Sequence, residues 1–313
     1  MPIRALIVGW FSWEQSDSTA GDFLAADQVR EWLSTAGIPF DTAVAPPFAG
    51  GVNLRDVDAA DYPLVIFVCG PFMRNHWERE FLDRFDRSFV CGVNLSLPLP
   101  LNEWQPFDFL VERDSDRAVR PDLVFATRQT LVPVVGKCLV EPYDEADVPS
   151  ANRAIDRLVA SREMAVVPID TRLDVNAAGL RSPAEVESAL ARMDAVITTR
   201  LHGMVLALKN GVPALVVDPE PSGGRIARQA DCIGWPYAFT VDALDDAALR
   251  EAFECCLTSE ARVLARRCAE RAASRVLEAR MNFYQGLETA HARLRDGEIK
   301  HLRARTVRDE PLT

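Results

Sequence analysis

The residues best suited to chemistry stand in one short run, Asp194-Ala195-Val196-Ile197-Thr198-Thr199-Arg200-Leu201-His202-Gly203. An Arg guanidinium presents a planar fork that fits a carboxylate or a phosphate through two parallel hydrogen bonds. A His two positions on donates a hydrogen bond, or transfers a proton near neutral pH. The apolar run Ala195–Thr198 predicts a strand, and a helix is expected from about Gly203. Arg200 and His202 are therefore expected in a tight loop at the carboxyl edge of a sheet, just before a helix. Free backbone N–H groups and the positive end of the helix dipole favour an anion at such a place. Leu201 is expected to turn away and pack, and Gly203 to let the backbone approach a ligand closely. A structural arrangement also fits these residues, with Arg200 paired to a carboxylate and His202 capping the helix.

Other residues admit the same two kinds of role. Asp22 follows Thr19-Ala20-Gly21 at the start of a helical pattern, where it suits either a ligand-facing role or an ordinary first-turn dipole partner. Arg113 lies in Glu112-Arg113-Asp114-Ser115 and could hold an anion or pair with Asp114 or Asp116. Arg225 follows Gly223-Gly224. Trp10, Phe11 and Trp13 crowd one loop, either to stack on a sugar ring or, as favoured here, to pack it. His76 is expected on a helix surface, and His291 and His301 in a solvated C-terminal region.

These candidates need elements to hold them. Apolar runs at Ala5–Gly9, Pro39–Val44, Leu64–Cys69, Phe89–Val93 and Phe109–Val111 predict strands. A helix is expected over about Gly21–Ala36, with Leu24, Val29, Trp32 and Leu33 as its apolar stripe and Gly37 as its stop. Near Arg128–Val132 the character changes. Pro133–Gly136 suits either a hinge or the first strand of a second unit, and further strands are expected at Ala165–Ile169, Ala195–Thr198 and Ala214–Val217, with helices at about Ala151–Ser161, Ser182–Arg192 and Gly203–Lys209. Ser182-Pro183-Ala184-Glu185 has the form of a capping box with Pro at the first helical position. From Asp245 the pattern is almost wholly helical and ends in a charged tail. Strands alternating with helices imply an α/β protein with mainly parallel sheets. Its expected domains are residues 1–130, 131–258 and a helical region with a charged tail at 259–313. Each of the first two is expected to be a Rossmann-like doubly wound sheet, with the active site in a cleft between them.

Composition narrows the function. The chain has 313 residues and a net charge of −11, so it has no general attraction for nucleic acid or anionic membrane surfaces. An anionic substrate must be held by a local cluster of Arg and Lys. No CxxC or zinc-spaced Cys/His group occurs among the seven Cys and four His, and no metal is expected. The thiols are expected to be reduced, mostly small core residues of a cytoplasmic protein. There is no secretory leader pattern, and no apolar run approaches the roughly 20 residues that cross a bilayer. Gly9-Trp10-Phe11-Ser12 is not a dinucleotide fingerprint, and Gly136-Lys137 is not a phosphate loop. The Arg-rich stretch Arg262–Arg280, interleaved with Glu and Ala, is expected to be an exposed helix face.

The run Asp194–Gly203, with Ala207-Leu208, Gly211-Val212-Pro213-Ala214 and Val216-Val217-Asp218, resembles the signature of the polysaccharide pyruvyl transferase family. The resemblance extends loosely over roughly residues 5–235 and is specific around Arg200–Asp218. It includes the Gly21-Asp22 turn and the Arg113-Asp114 element. Arg225 is the cation nearest the place where members often carry a Lys. The resemblance implies the two-Rossmann-domain architecture called GT-B and transfer of a pyruvyl ketal from phosphoenolpyruvate to a sugar of a glycan or its precursor, with no cofactor. It implies that Arg200, Arg113 and Arg225 bind the donor's phosphate and carboxylate, with Gly203 and Gly21 lining the substrate. His202 would then act as acid or anion stabiliser, and Asp22 would orient or deprotonate the acceptor hydroxyl. Two other functions share the pattern. One is a glycosyltransferase holding a sugar nucleotide's diphosphate at Gly223-Gly224, for which no clear acidic residue other than Glu220 stands to hold the ribose; the other is a non-catalytic relative that binds a glycan or a protein.

Overall fold

The computed structural model describes residues 3–14, 16–144 and 146–295. The chain forms two compact units that divide between Thr130 and Leu131. His301 and the charged tail lie outside the described residues.

In the first unit the order is β1 (Ala5–Gly9), α1 (Ala20–Thr35), β2 (Phe40–Thr42), β3 (Leu64–Pro71), α2 (His76–Arg84), β4 (Phe89–Ser96) and β5 (Phe109–Val111). The strands form one parallel sheet in the order β2-β1-β3-β4-β5. Because side chains alternate along a strand, β1 serves two cores. Ala5 and Ile7 face α1 and join Ala25, Ala26, Val29 and Leu33. Leu6 and Val8 face the other way and join Phe67, Phe81 and Phe85. The apolar stripe of α1 differs from the expected one. Ala25, Ala26, Val29 and Leu33 are buried at helical spacing, while Trp32 is 45% exposed on the far side.

The second unit runs β6 (Val134–Cys138), α3 (Val148–Ala160), β7 (Ala165–Pro168), α4 (Pro183–Leu190), β8 (Ala195–Thr198), α5 (Leu201–Lys209), β9 (Ala214–Asp218), α6 (Arg225–Ile233), β10 (Ala238–Thr240), α7 (Asp246–Cys256) and α8 (Ser259–Arg295). Its sheet is also parallel, in the order β10-β9-β8-β6-β7. The core gathers Val135, Ile155, Leu190, Ile197, Leu215 and Phe253. The capping box at Ser182 forms as expected: Ser182 Oγ accepts from Glu185 N at 3.3 Å, and Glu185 accepts from Ser182 N at 3.1 Å.

In each sheet the chain leaves its first strand in one direction and then returns to build on the other side. The reversal lies between β1 and β3 in the first sheet and between β6 and β8 in the second. Crevices at the carboxyl ends of strands flanking such a reversal are where open α/β sheets hold ligands.

The long α8 is fastened at its beginning, where Ala261, Ala265 and Cys268 are buried. Its arginines are more than the solvated face expected. Arg271 donates to the carbonyl of Ile233 at 3.1 Å and Arg275 to that of Cys232 at 2.9 Å. Both satisfy carbonyls at the end of α6 that have no partner within that helix. Five of the seven Cys are buried and all are free thiols; Cys255 is half-buried and Cys232 exposed.

Candidate functional site

The Arg200 turn sits at the strand reversal of the second sheet. Thr198 ends β8 with its hydroxyl on the carbonyl of Cys138, the last residue of β6, at 2.8 Å. Thr199 N donates to the same carbonyl at 3.1 Å, and Val140 N donates to Thr199 Oγ1 at 2.8 Å. Two successive threonines thus tie the ends of β6 and β8 together. The helix begins earlier than expected. Arg200 is the N-cap of α5, so His202 lies in its first turn and not in a loop before it. The cause is local: Thr198 Oγ1 accepts from Arg200 N at 2.9 Å, and Met204 N already donates to Arg200 O at 3.2 Å.

This shift changes what Gly203 does. It is buried within α5, and a Cβ there would collide with Thr198 Oγ1 and lie 3.1 Å from Cys138 Sγ. The missing side chain lets the helix pack against the strand.

The Arg200 guanidinium is 12% exposed and held at two points. Its Nε donates to the carbonyl of Leu139 at 2.6 Å. Its Nη2 bonds Glu141 Oε2 and lies 3.7 Å from Asp170 Oδ1. Arg200 is therefore paired with carboxylates. Arg172 completes a four-charge cluster, with Nη2 2.6 Å from Glu141 and 2.7 Å from Asp170. Burial works to raise the Asp170 carboxyl, but hydrogen bonds from Arg172 and the charge of Arg200 hold it below its usual range. Glu141, 47% exposed, is the most exposed side chain of the cluster. A hollow of about 400 Å³ adjoins the cluster, lined by Lys137, Leu139, Glu141, Ile169 and Asp170. Glu141, Asp170 and Arg172 were not singled out in the sequence, because they come from loops after β6 and β7 that carry no motif. His202 is exposed, with no hydrogen-bond or ion-pair partner among the described residues.

Arg225 opens α6, 58% exposed, with its guanidinium 5.5 Å from the centre of the Tyr143 ring and 3.8 Å from Glu220. The neighbouring glycine turn is tied inward. Buried Asp218 accepts from Glu220 N at 3.1 Å, Gly224 N at 2.9 Å and Ala227 N at 2.8 Å. Tyr143 donates to Glu220 at 3.0 Å. The Gly224 amide and the Glu220 carboxylate, the groups a sugar nucleotide would use, are both engaged.

The first unit brings Asp22 and Arg113 to the carboxyl edge of its own sheet. Asp22 is 6% exposed and forms a capping box, accepting from Thr19 N at 2.7 Å and Thr19 Oγ1 at 2.8 Å. At Gly21 an added Cβ would meet only Thr19 Oγ1, at an ordinary 3.4 Å, so packing does not demand glycine there. Arg113 donates to Asp122 at 2.8 Å, to Asp114 at 3.2 Å and to Ser96 Oγ. Asp116 is elsewhere engaged, by Leu101 N at 3.1 Å. Between them lies Cys69, a non-glycine residue with φ +67°, next to Asn94 with φ +58°. Such conformations are costly for L-residues and are held here by the surrounding network. Asn94 donates to Asp122 at 3.0 Å and accepts from Leu123 N at 3.1 Å. Burial, helped by the nearby Asp22, pushes the Cys69 thiol up to about 12. Among the described residues, no group of His, Cys, Asp and Glu is arranged to hold a metal ion, and no helix is long and apolar enough to cross a membrane.

Comparison with solved structures gives similarities at low identity. The calicheamicin glycosyltransferase is 15% identical, with 91% of this chain and 98% of that one covered and a TM-score of 0.33. A spinosyn forosaminyltransferase is 13% identical, with 88% and 95% covered and a TM-score of 0.33. A glycosyltransferase from Streptomyces nogalater is 16% identical, with 87% and 99% covered and a TM-score of 0.22. No curated protein matches the chain. Residues 121–221, about a third of the chain, span β6 to β9 with the whole Arg200–His202 turn, and they match the family model of polysaccharide pyruvyl transferase.

Proposed function

We propose that the protein is a glycan-modifying transferase that moves a pyruvyl group from phosphoenolpyruvate to a sugar. The observation that carries this is the Arg200 turn. It lies inside the matched segment, at a strand reversal, with a guanidinium already seated on a carboxylate and a partner-free His on the first turn of the same helix. A fork that binds Glu141 has the geometry to bind the donor's carboxylate or phosphate instead. The Leu139 carbonyl keeps the fork aimed while Glu141 swings away. Arg172 offers a second positive charge beside it.

The reaction adds a proton to the donor's methylene carbon, making it a methyl group. A sugar hydroxyl bonds to the central carbon and loses its proton. The carbon–oxygen bond to phosphate breaks, and phosphate leaves with the electron pair. A second hydroxyl of the same sugar then bonds to that carbon and releases its proton, closing the ketal. His202 is the proton donor in this scheme, and Arg200 stabilises the anionic donor and the departing phosphate. Asp22 is the group proposed to orient the acceptor hydroxyl. Arg113 and Arg225 are the further donor contacts proposed, each needing its present carboxylate partners to yield.

A thermal-shift titration with phosphoenolpyruvate, beside UDP, GDP and phosphate, tests the assignment. Selective stabilisation by phosphoenolpyruvate is expected in the wild type and is lost in Arg200→Ala. Stabilisation by UDP or GDP alone would replace this function with sugar-nucleotide transfer.

A further inference from the structure

The strand reversal of the first sheet is lined differently from that of the second. Trp10 and Trp13 follow β1 directly, and Trp77 is the second residue of α2, after β3. The reversal runs between β1 and β3, so all three indoles stand at its carboxyl-end crevice. Trp77 meets Trp10 at 5.1 Å and 68°, and Trp13 at 4.9 Å and 57°. The three indoles meet at corners, and Phe67 stacks behind Trp77 at 6.3 Å and 28°. Gly70, with φ +85°, makes room for Trp10, whose indole nitrogen a Cβ at that position would strike.

Two hollows open on this cluster, of about 260 and 270 Å³, and both are walled by Trp13, Glu14 and Trp77. The rim is polar but close to neutral. Glu14 lies 3.4 Å from Arg55, and Glu80 lies 3.2 Å from His76. Arg84 is turned onto the backbone carbonyls of Arg55 and Val57. A phosphorylated or carboxylated ligand would meet two carboxylates here, with Arg84 turned to the backbone and Arg55 reaching toward Glu14. A pyranose ring fits the chemistry better. Its C–H face covers an indole, and its hydroxyl rim donates to carboxylate oxygens, which accept at several lone pairs. Aromatic walls with a few placed polar groups are the usual make-up of a small-molecule site.

We propose that the hollow bounded by Trp10, Trp13, Trp77 and Glu14 is a neutral-sugar subsite that holds a pyranose ring of the acceptor. The assignment of that ring to an acceptor rests on the transferase function proposed above; the binding of a neutral pyranose does not. Trp77 supplies the stacking surface. Glu14, 51% exposed, receives the hydroxyls.

Saturation-transfer NMR on the full chain, with the methyl glycosides of galactose, glucose and mannose as probes, tests this. At least one glycoside should receive saturation in the wild type, strongest on the ring protons of one face. Trp77→Ala should weaken its binding by about tenfold, and Glu14→Gln, a surface change that leaves the fold intact, by several-fold. Arg200→Ala should bind the glycoside as the wild type does, and Trp77→Ala should keep its stabilisation by phosphoenolpyruvate. No saturation transfer to any of the three glycosides, or unchanged binding in Glu14→Gln and Trp77→Ala, would overturn the subsite. Glycoside binding without any response to phosphoenolpyruvate would remove the pyruvyl donor and leave the subsite standing.

Discussion

At the scale of the residue, the site turns on how few atoms hold Arg200. A backbone carbonyl holds Nε, while an exposed side chain, Glu141, holds Nη2. Gly203 is the other single residue with a sharp consequence. A methyl group there meets the Thr198 hydroxyl within a buried contact, so Gly203→Ala is expected to destabilise the protein by roughly 1–3 kcal/mol. Chemical denaturation reads that cost, and a variant as stable as the wild type would refute the packing role. Glu112 offers a pH test. Its side chain is fully buried, and hydrogen bonds from Arg117, with the charges of Arg117 and Arg120, hold it down to about 2. A carboxyl held below its ordinary value of about 4.3 stabilises the fold above that value and loses the contribution as pH falls toward 2. The wild type should therefore lose melting temperature between about pH 4.3 and 2 more steeply than Glu112→Gln. Parallel acid melts of the two proteins would remove this account.

At the scale of the element, loops are set by buried side chains that replace missing backbone partners. Asp218 gathers three amides of the β9–α6 connection and is fully buried. Asp218→Ala leaves those amides without their acceptor and is expected to cost about 2–3 kcal/mol. The Gly223-Gly224 turn should loosen with it, visible as faster hydrogen exchange over residues 219–227. Unchanged exchange there would show that the turn holds itself. The two threonines at the end of β8 do comparable work: they bind the end of β6 to β8 and fix where α5 begins. A helix start moved by two residues decides whether His202 belongs to a loop or to a first turn, and hence which way it faces.

At the scale of the molecule, the chain builds two α/β units with separate apolar cores. The segment between them carries few anchors. Arg128, Gln129, Thr130 and Leu131 are all exposed, Leu131 at 90%, and lack regular structure. Exposed backbone without regular structure is where proteases cut first. Limited trypsin digestion should cleave after Arg128 before any site within a strand or within α1 to α7, giving two fragments. First cleavage inside either sheet would contradict the division. The charge of −11 also acts at this scale. It repels anions at long range, so an anionic donor depends on the local arginines.

Much of this was written in the chain itself. Alternating apolar runs specified two parallel sheets, since a strand covered on both faces must be apolar throughout. The strands Ala5–Gly9, Phe109–Val111 and Ala195–Thr198 fall where local pattern places them, as does the capping box at Ser182. The motif around Arg200 was legible because its residues are contiguous. The rest depended on residues distant in sequence. Glu141 and Asp170 come from two other loops, and Trp77 reaches Trp10 only after β3 is laid beside β1. Trp32 fits an apolar stripe by spacing yet lies outside, because Ala25 and Ala26 bring the helix down on another face. The sequence by itself determined the elements, their order and the candidate anion-binding turn, all consequences of neighbouring residues. Only the tertiary structure decided which charges meet there and where the indoles converge, because both depend on the order in which strands assemble in the sheet.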